Sequence, residues 1–390
     1  CLFYNAWSTA MRQVLPPPAA GSVNLQASLT MTGTMWEGQC NLWDIGRYQA
    51  FNGAIMTEDW FSGPEGVAFG YEMIRAAARV GGQVPASLVV GYQPGQRMIC
   101  HLAQGSRWLL LYLYGPVHRI GPVWGEHPPT LSDLAETTRL IARVEDDLLV
   151  SRNRPCRIGL LVANTSEINA PYRNLPVGRR RCGMYNQLLH AQWPVEVVGE
   201  SEITENQALA RYDLILATDP HVTTATQQEL RRWVSAGGRL WTLPEALAYD
   251  EYDAPATTFA AWPTPAADGA PGHLALGQGE LWRGAEISLP QLLPAIQAAG
   301  VQPFVVTHAP GRLLTWVHDG PAQSVLFVVN PGAEFTSDTM TVAVPRPVTA
   351  VYSSRLGDLP FQQLVGQVQF HYTVPAGRHD LVVIRQAPAK

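Results

Sequence analysis

The chain has 390 residues, 46% of them hydrophobic, and a formal net charge of −5, which is enough sequence for about two or three domains with their own cores. The weakly acidic balance argues against nucleic acid or an anionic membrane surface as the main partner. The only lysine is Lys390. Chemistry built on an interior lysine, as in P-loop NTPases, Schiff-base aldolases and pyridoxal-phosphate enzymes, is therefore excluded.

The cysteines and the apolar runs exclude further classes. The five cysteines are widely spaced and form no CxxC motif, so we expect neither a structural zinc site nor a disulfide framework. The longest strongly apolar run, Trp108–Tyr114, is far shorter than the roughly 20 residues of a membrane-spanning helix. We expect a protein without cofactor, metal or membrane span, and the sequence does not indicate its compartment.

Short apolar strands alternate with helices over residues 1–152. The predicted strands are Val23–Met31, Gly53–Met56, Ser87–Val90 and Leu109–Tyr114. Helices are predicted over Trp43–Ala50, Phe69–Val80, Gln96–Gly105 and Leu131–Leu149. This alternation is typical of a parallel sheet covered by helices. The four units are half of the number in a (β/α)8 TIM barrel, so we expect the last four units of such a barrel, in a fragment cut upstream of Cys1.

Two further patterns follow along the chain. Over residues 153–300 the predicted strands Arg157–Ala163, Val195–Val198, Asp213–Ala217 and Arg239–Leu243, with helices between them, indicate an α/β domain of the flavodoxin or glutamine-amidotransferase type. The Ala-, Pro- and Gly-rich stretch from Ala256 to Gly284 is predicted to be loop. From residue 301 the hydrophobic period becomes two, and seven short strands predict a small antiparallel β-sandwich. The fold class is therefore a multidomain α/β protein.

Four segments carry a family resemblance: RMICHLAQGSRWLLLYLYGP, LVVGYQPG, YDLILATDPHVTTATQQELRRWVSAGGRLWTL and RHDLVVIR. Together with the domain order, they resemble the β-galactosidases of glycoside hydrolase family 42. The resemblance implies a TIM-barrel glycosidase domain over residues 1–152, a trimerisation-type α/β domain over 153–300 and a β-sandwich over 301–390. It also implies a carbohydrate substrate, hydrolysis of a glycosidic bond by paired carboxylates, and a homo-oligomer, with the trimer of the family as the expected state.

The sequence departs from the family pattern at both catalytic carboxylates. The acid/base glutamate of the family follows the fourth barrel strand, which would lie before Cys1. The nucleophile follows the seventh strand, where this chain has Gly91-Tyr92, and no carboxylate occurs between Pro85 and Arg107. The resemblance therefore implies a glycosidase fragment that lacks the acid/base.

Glu58 is the best candidate for a catalytic carboxylate, because it directly follows a predicted barrel strand and barrel active sites lie at the carboxyl ends of the strands. The alternatives are a substrate contact without catalysis and a purely structural role, such as ordering loops or pairing with Arg75. Substrate contacts are predicted for two further rim carboxylates and for aromatic residues on which sugar rings could stack, although these rings could equally anchor loops. They are Glu37, Asp59, Trp60, Tyr92, Tyr114 and Trp124.

Two other functions remain open on the sequence. The first is a non-catalytic carbohydrate-binding or assembly protein that kept the architecture and lost the catalytic pair. The second is an amidotransferase-like hydrolase, which needs a cysteine on a strand-to-helix elbow. Neither Cys156 nor Cys182 lies on such an elbow after a predicted strand.

The run Arg179–Arg181 is predicted to be solvated or to pair with acidic residues across a subunit interface.

Overall fold

The computed structural model describes residues 22–25, 54–59, 63–82, 84–89, 93–111, 128–169, 173, 175–259, 261–266, 269–308 and 311–388, with the backbone alone for residues 22–25, 54–58 and 81. Four sheets and the helices between them form a mixed α/β architecture, which confirms the fold class at that level. No helix in these ranges is long and apolar enough to cross a membrane.

The first sheet is parallel throughout, and its strands follow one another in chain order. Its strands are β1 (Ser22–Leu25), β2 (Ala54–Glu58), β3 (Val84–Val89) and β4 (Trp108–Leu111). Helix α1 (Gly63–Gly81) connects β2 to β3, and α2 (Pro94–Ala103) connects β3 to β4. Helices α3 (Pro128–Ala142) and α4 (Glu145–Val150) follow. The predicted helix Trp43–Ala50 lies outside the described residues.

Helix α1 is buried on most of its circumference, as its Val, Phe, Tyr, Met, Ile and Ala side chains indicate. A helix that is apolar nearly all round is expected between two layers of structure rather than at the surface. Helix α1 contacts β2 and β3 on one side and the second sheet on the other. One continuous hydrophobic core therefore joins the first two sheets.

The second sheet has six strands and the order β10-β11-β9-β8-β6-β7, with β10 antiparallel to the rest. Its strands are β6 (Ile158–Val162), β7 (Val195–Gly199), β8 (Leu214–Ala217), β9 (Arg239–Thr242), β10 (Gly272–Leu276) and β11 (Gly279–Arg283). The helices of this part are α5 (Asn164–Asn169), α6 (Val177–His190), α7 (Glu200–Asn206), α8 (Thr224–Ser235) and α9 (Leu289–Ala298). The order of the first four strands is that of flavodoxin-like sheets.

The prediction that residues 256–284 form only loop was wrong. The hairpin β10–β11 extends the second sheet, and β11 pairs in parallel with β9. Gly279 makes this pairing possible, because a Cβ atom at that position would overlap the carbonyl oxygens of Gly238 and Val234. Glycine favoured the prediction of loop in this stretch, but at Gly279 it is needed because two chain segments approach each other closely there.

The two remaining sheets are antiparallel, with the orders β12-β15-β19-β18 and β17-β16-β20-β14-β13-β5. Their strands are β5 (Arg152–Asn153), β12 (Val305–Thr307), β13 (Leu314–Asp319), β14 (Gln323–Val329), β15 (Thr336–Ala343), β16 (Val348–Ser353), β17 (Gly357–Asp358), β18 (Phe361–Leu364), β19 (Gln367–Val374) and β20 (His379–Gln386). Residues of both sheets share one core, including Leu326, Met340, Phe370 and Val382. The seven predicted strands are present, and β17 and β18 add two short ones.

Candidate active site at the carboxyl edge of the parallel sheet

The carboxyl ends of β1–β4 lie at one edge of the first sheet, because all four strands are parallel. Glu58 is the last residue of β2 and pairs in register with Leu88 of β3. The backbone N–H of Asp59 continues the ladder and donates to the carbonyl oxygen of Leu88 at 3.1 Å. The main candidate of the sequence is therefore placed by regular pairing at the edge where α/β proteins bind ligands.

The other predicted contacts divide into two groups. Asp59 is described with its side chain. The structure does not describe Glu37, Trp60, Tyr92, Tyr114 and Trp124. Roles for these five residues therefore stay predictions.

The Asp59 carboxylate is closed off from solvent, with no exposed surface. Its Oδ2 atom lies 2.8 Å from Nε2 of His101 and 3.4 Å from Nη1 of Arg97. Arg97 Nη1 also donates to the carbonyl oxygen of Asp59 at 2.5 Å. The side chains of α2 therefore hold the Asp59 carboxylate in place. A direct contact between Asp59 and substrate stays a prediction.

Helix α2 presents Arg97 and His101 on one face because they are four residues apart. The helix begins with Pro94, and the backbone N–H of Gly95 donates to the Asp133 carboxylate of α3 at 2.8 Å. A Cβ atom at Gly95 would overlap Thr137 and the ring of His379. The start of α2 is therefore held tightly against α3 and β20, and this fixes the two side chains that reach Asp59.

His101 is fully buried and lies against Tyr71 of α1, with the ring centroids 3.8 Å apart. Burial lowers the pKa of His101, although its hydrogen bond with Asp59 acts in the opposite direction. The Nδ1 atom is buried and has no hydrogen-bond partner among the described residues, so protonating it would leave an unpaired N–H. We assign the neutral ring with its proton on Nε2, which donates to Asp59.

Arg75 does not support the structural alternative predicted for Glu58. Its guanidinium lies 2.7 Å from Glu72 and 3.1 Å from Glu196 of β7. Burial raises the pKa of Glu72. Burial would also raise the pKa of Glu196, but Arg75 and Arg79 lower it overall. These charges join α1 to the second sheet and lie away from the edge that carries Glu58.

A second group of buried charges lies at the carboxyl edge of the second sheet. Arg181 of α6 has 2% of its surface exposed and contacts Asp219 at 2.5 Å and Glu167 at 2.6 Å. Burial raises the pKa of Glu167 to about 7, although Arg181 opposes the shift. The prediction of a solvated arginine run was wrong for Arg181, because the helix turns this one member of the run towards the end of β8.

The thiols do not support amidotransferase chemistry. Cys182 lies inside α6, and burial raises its pKa to about 11. Burial raises the pKa of Cys156, which precedes β6, still further. A nucleophilic cysteine needs the opposite, a pKa lowered towards neutrality.

By sequence, the chain matches no family model and no curated protein. By structure, it is similar to a β-galactosidase from Rahnella sp. R3, with a TM-score of 0.72, 12% identity, and coverage of 99% of this chain and 66% of that one. For a catalytic mutant of a family 42 β-galactosidase from G. stearothermophilus, the TM-score is 0.71 at 12% identity, with 96% and 65% covered. The chain has the fold of the family 42 β-galactosidases.

A β-galactosidase from Bacillus circulans sp. alkalophilus gives a similar result, with a TM-score of 0.70 at 14% identity over 98% of this chain. The chain spans 65–66% of the length of these three enzymes. The resemblance expected from the sequence is thus confirmed for the fold.

The two residues that bind Asp59 were not among the predicted site residues. Arg97 and His101 are four positions apart on a predicted helix, and that spacing is the signal that could have paired them. Nothing in the sequence shows that both side chains turn towards the end of β2, because this depends on how α2 packs on the sheet.

Proposed function

We propose that the chain is part of a glycoside hydrolase of the family 42 type that acts on a β-galactoside or a related carbohydrate. In this proposal the sheet β1–β4 is the second half of a (β/α)8 barrel, within residues 1–152. Residues 153–300 form a trimerisation-type domain, and residues 301–390 form a β-sandwich. The assembled protein is proposed to be a homo-oligomer, with a trimer as the expected state.

The observation that carries the proposal is the position of Glu58. It ends β2 at the carboxyl edge of a parallel sheet, in a chain whose fold is shared with β-galactosidases. Neighbouring positions of a strand alternate between the two faces of the sheet. Asp59, the residue after β2, contacts α2 through its side chain.

The surface of β4 supports the half-barrel. A parallel strand is normally buried on both faces. Yet Trp108, Leu110 and Leu111 are exposed over 42%, 44% and 39% of their surface within the described residues. Further strands and helices beside β4 would bury this apolar surface, as they do in a complete barrel.

The chemistry requires two carboxylates. Glu58 is proposed to stabilise or attack the anomeric carbon, and an acid/base encoded before Cys1 would protonate the leaving oxygen. Glu37 is proposed as a further rim carboxylate. Sugar rings would stack on Trp60, Tyr92, Tyr114 and Trp124.

The proposal is tested with nitrophenyl β-galactoside and two forms of the protein. One is the 390-residue chain, and the other is extended by the codons that precede Cys1 in its gene. We expect hydrolysis by the extended form and none by the 390-residue chain. Hydrolysis at equal rates would contradict the half-barrel, and inactivity of both forms on a panel of nitrophenyl glycosides would contradict the hydrolase.

One observation favours a second candidate, a carbohydrate-binding or assembly protein without hydrolysis. No carboxylate occurs between Pro85 and Arg107, although the family nucleophile follows the corresponding strand. Binding of galactose or a galactoside by the extended protein, measured by calorimetry and without turnover, would support this candidate.

A further inference from the structure

Helix α5 is held to the second sheet by polar side chains and not by an apolar face. Its buried residues are Thr165, Ser166 and Glu167, whereas its apolar side chain, Ile168, is exposed over 58% of its surface. Surface helices normally bury their apolar stripe, because hydrophobic burial is the main force that holds them. The attachment of α5 therefore depends on hydrogen bonds and charges, and charges respond to pH.

Two of the buried side chains attach α5 to neighbouring elements. Thr165 donates to the Glu200 carboxylate of α7 through its backbone N–H at 3.2 Å and through its hydroxyl at 2.9 Å. The Ser166 hydroxyl accepts from the backbone N–H of His221 at 2.9 Å and donates to its carbonyl oxygen at 2.8 Å. These contacts hold α5 beside the carboxyl ends of β6 and β8, where the strand order of the sheet reverses.

The third buried side chain, Glu167, shares one cation with a second carboxylate. Arg181 donates to Glu167 through Nη1 at 2.6 Å, and to Asp219 through Nε at 2.8 Å and Nη2 at 2.5 Å. Two carboxylates and one guanidinium leave an excess negative charge, although each of the three side chains has at most 6% of its surface exposed. A buried charge without a counterion is costly, and a carboxylate in that position takes up a proton instead.

The hydrogen bonds decide which of the two carboxylates holds the proton. Asp219 accepts from two N–H groups of Arg181 and, at 2.6 Å, from the backbone N–H of Ala163, and such donors stabilise the ionised form. Among the described residues, one N–H group binds Glu167. Burial raises the pKa of Glu167 to about 7; Arg181 opposes this shift, and the charges of Asp219 and Glu200 add to it.

We propose that Glu167 holds a proton while α5 is closed on the second sheet, and that release of α5 is coupled to loss of this proton to water. The cluster is then a pH-sensitive closure of the crevice between the ends of β6 and β8. The charged groups that face Glu167 are Arg181 on α6, Asp219 after β8 and Glu200 on α7. His221 faces α5 with its backbone.

The direction of the pH effect follows from the two states of α5. In the released helix, Glu167 is solvated and has the ordinary pKa of a glutamate, about 4.3, whereas in the closed helix its pKa is about 7. The closed state therefore binds more protons between these pH values. Closure is strongest below about pH 4.3 and weakens as the pH rises to about 7, by a factor of about ten per pH unit, and it changes no further above that.

Infrared spectroscopy of the 390-residue chain tests directly for the proton on Glu167. We expect a carboxylic-acid C=O band at pH 6 that is lost in Glu167→Gln, and the difference between the two proteins should titrate with a midpoint near pH 7. Buried acids common to both proteins, such as Glu72, cancel in this difference. A spectrum at pH 6 that is the same in both proteins would overturn the proposal.

A second variant tests the competition for one cation. Asp219→Asn leaves Arg181 to Glu167 alone, so the midpoint of the Glu167 band should fall by about one pH unit. An unchanged midpoint would contradict the shared cation. The matched control is Glu245→Gln, because Glu245 is 40% exposed and pairs with Arg180, the neighbour of Arg181 in the same helix. This control should keep both the band and its midpoint.

Hydrogen exchange tests the release of α5 through the amide of His221, which donates to Ser166. After correction for the intrinsic effect of pH, wild-type exchange should rise between pH 5 and 7 and then level off. In Glu167→Gln the rise should be smaller by about tenfold per pH unit, whereas Glu245→Gln should match the wild type. The same pH dependence in Glu167→Gln and wild type, or no pH dependence in the wild type, would overturn the coupling. Neither readout depends on glycosidase activity.

Discussion

Arg181 and Asp219 form a buried two-point ion pair, with Nε 2.8 Å from Oδ1 and Nη2 2.5 Å from Oδ2. The same guanidinium donates to the carbonyl oxygen of Ala163 at 2.8 Å. It therefore ties α6 to the ends of β6 and β8, the point where the strand order of the second sheet reverses. In flavodoxin-like sheets this point is a usual ligand crevice, and here the protein's own side chains occupy it.

Replacing Arg181 should be strongly destabilising. Arg181→Met leaves the buried carboxylates of Asp219 and Glu167 without their cation, and we expect a loss of about 3–5 kcal/mol in the free energy of unfolding. Urea denaturation followed by circular dichroism measures it. The matched control is Arg157→Met, whose ion pair with Asp213 is half exposed and should contribute less than about 1 kcal/mol. Similar losses in the two variants would contradict the buried role of Arg181.

Acid should destabilise the protein through two buried histidines. Burial lowers the pKa of both His318 and His379 to about 3, against an ordinary value of about 6.5. The unfolded chain therefore binds more protons between those pH values, so stability is complete above about pH 6.5 and falls towards pH 3. Each histidine should contribute a slope of about 1.4 kcal/mol per pH unit.

The variant His379→Gln keeps a hydrogen-bonding group for Thr137, 2.9 Å away in the native protein. Between pH 4 and 6, this variant should reduce the slope of the unfolding free energy against pH. The reduction should equal the slope that one histidine contributes. His371 lies on an exposed strand face, and His371→Gln is the control that should leave the slope nearly unchanged. An unaltered slope in His379→Gln would show that its ring is not held neutral in the folded state.

Two glycines should respond in opposite directions to substitution by alanine. At Gly279 a Cβ atom would overlap backbone oxygens, so Gly279→Ala should cost about 1–3 kcal/mol and separate β11 from α8 and β9. Gly183 lies within α6 and has no atom near its Cβ position. Gly183→Ala should stabilise the protein by about 0.5–1 kcal/mol. Thermal denaturation of the two variants and of the wild type shows whether each substitution lowers or raises the stability.

The thiols should be inert at neutral pH. Because burial raises the pKa of Cys182 to about 11 and that of Cys156 further, iodoacetamide at pH 7 should leave both unmodified until the protein unfolds. Peptide mass spectrometry after labelling, with and without urea, makes the comparison. Rapid selective labelling of either thiol in the folded protein would reopen amidotransferase-like chemistry.

Helices and strands are predicted well from the sequence where their own residues form a strong apolar pattern. Helix α1 and strands β6 and β14 bury most of their residues, so their apolar runs are visible without the fold. The hairpin β10–β11 was missed because its stability depends on pairing with β9, which lies far away in the sequence. Alanine, proline and glycine around it hide the weak strand pattern.

The candidate site was predicted only in part, for a related reason. The place of Glu58 after a strand is a local property, and the sequence shows it. The burial of Asp59 and the contacts of Arg97 and His101 depend on the packing of α2 against the sheet and against α3. The same holds for Arg181, because only the position of α6 decides which arginine of the run faces inward.

We propose that Glu58 takes part in glycoside hydrolysis. The most direct measurement compares wild type and Glu58→Gln in the protein extended upstream of Cys1, with nitrophenyl β-galactoside as substrate. We expect kcat to fall by at least about 100-fold, while circular dichroism and thermal stability stay unchanged. A kcat within a few-fold of wild type would contradict it.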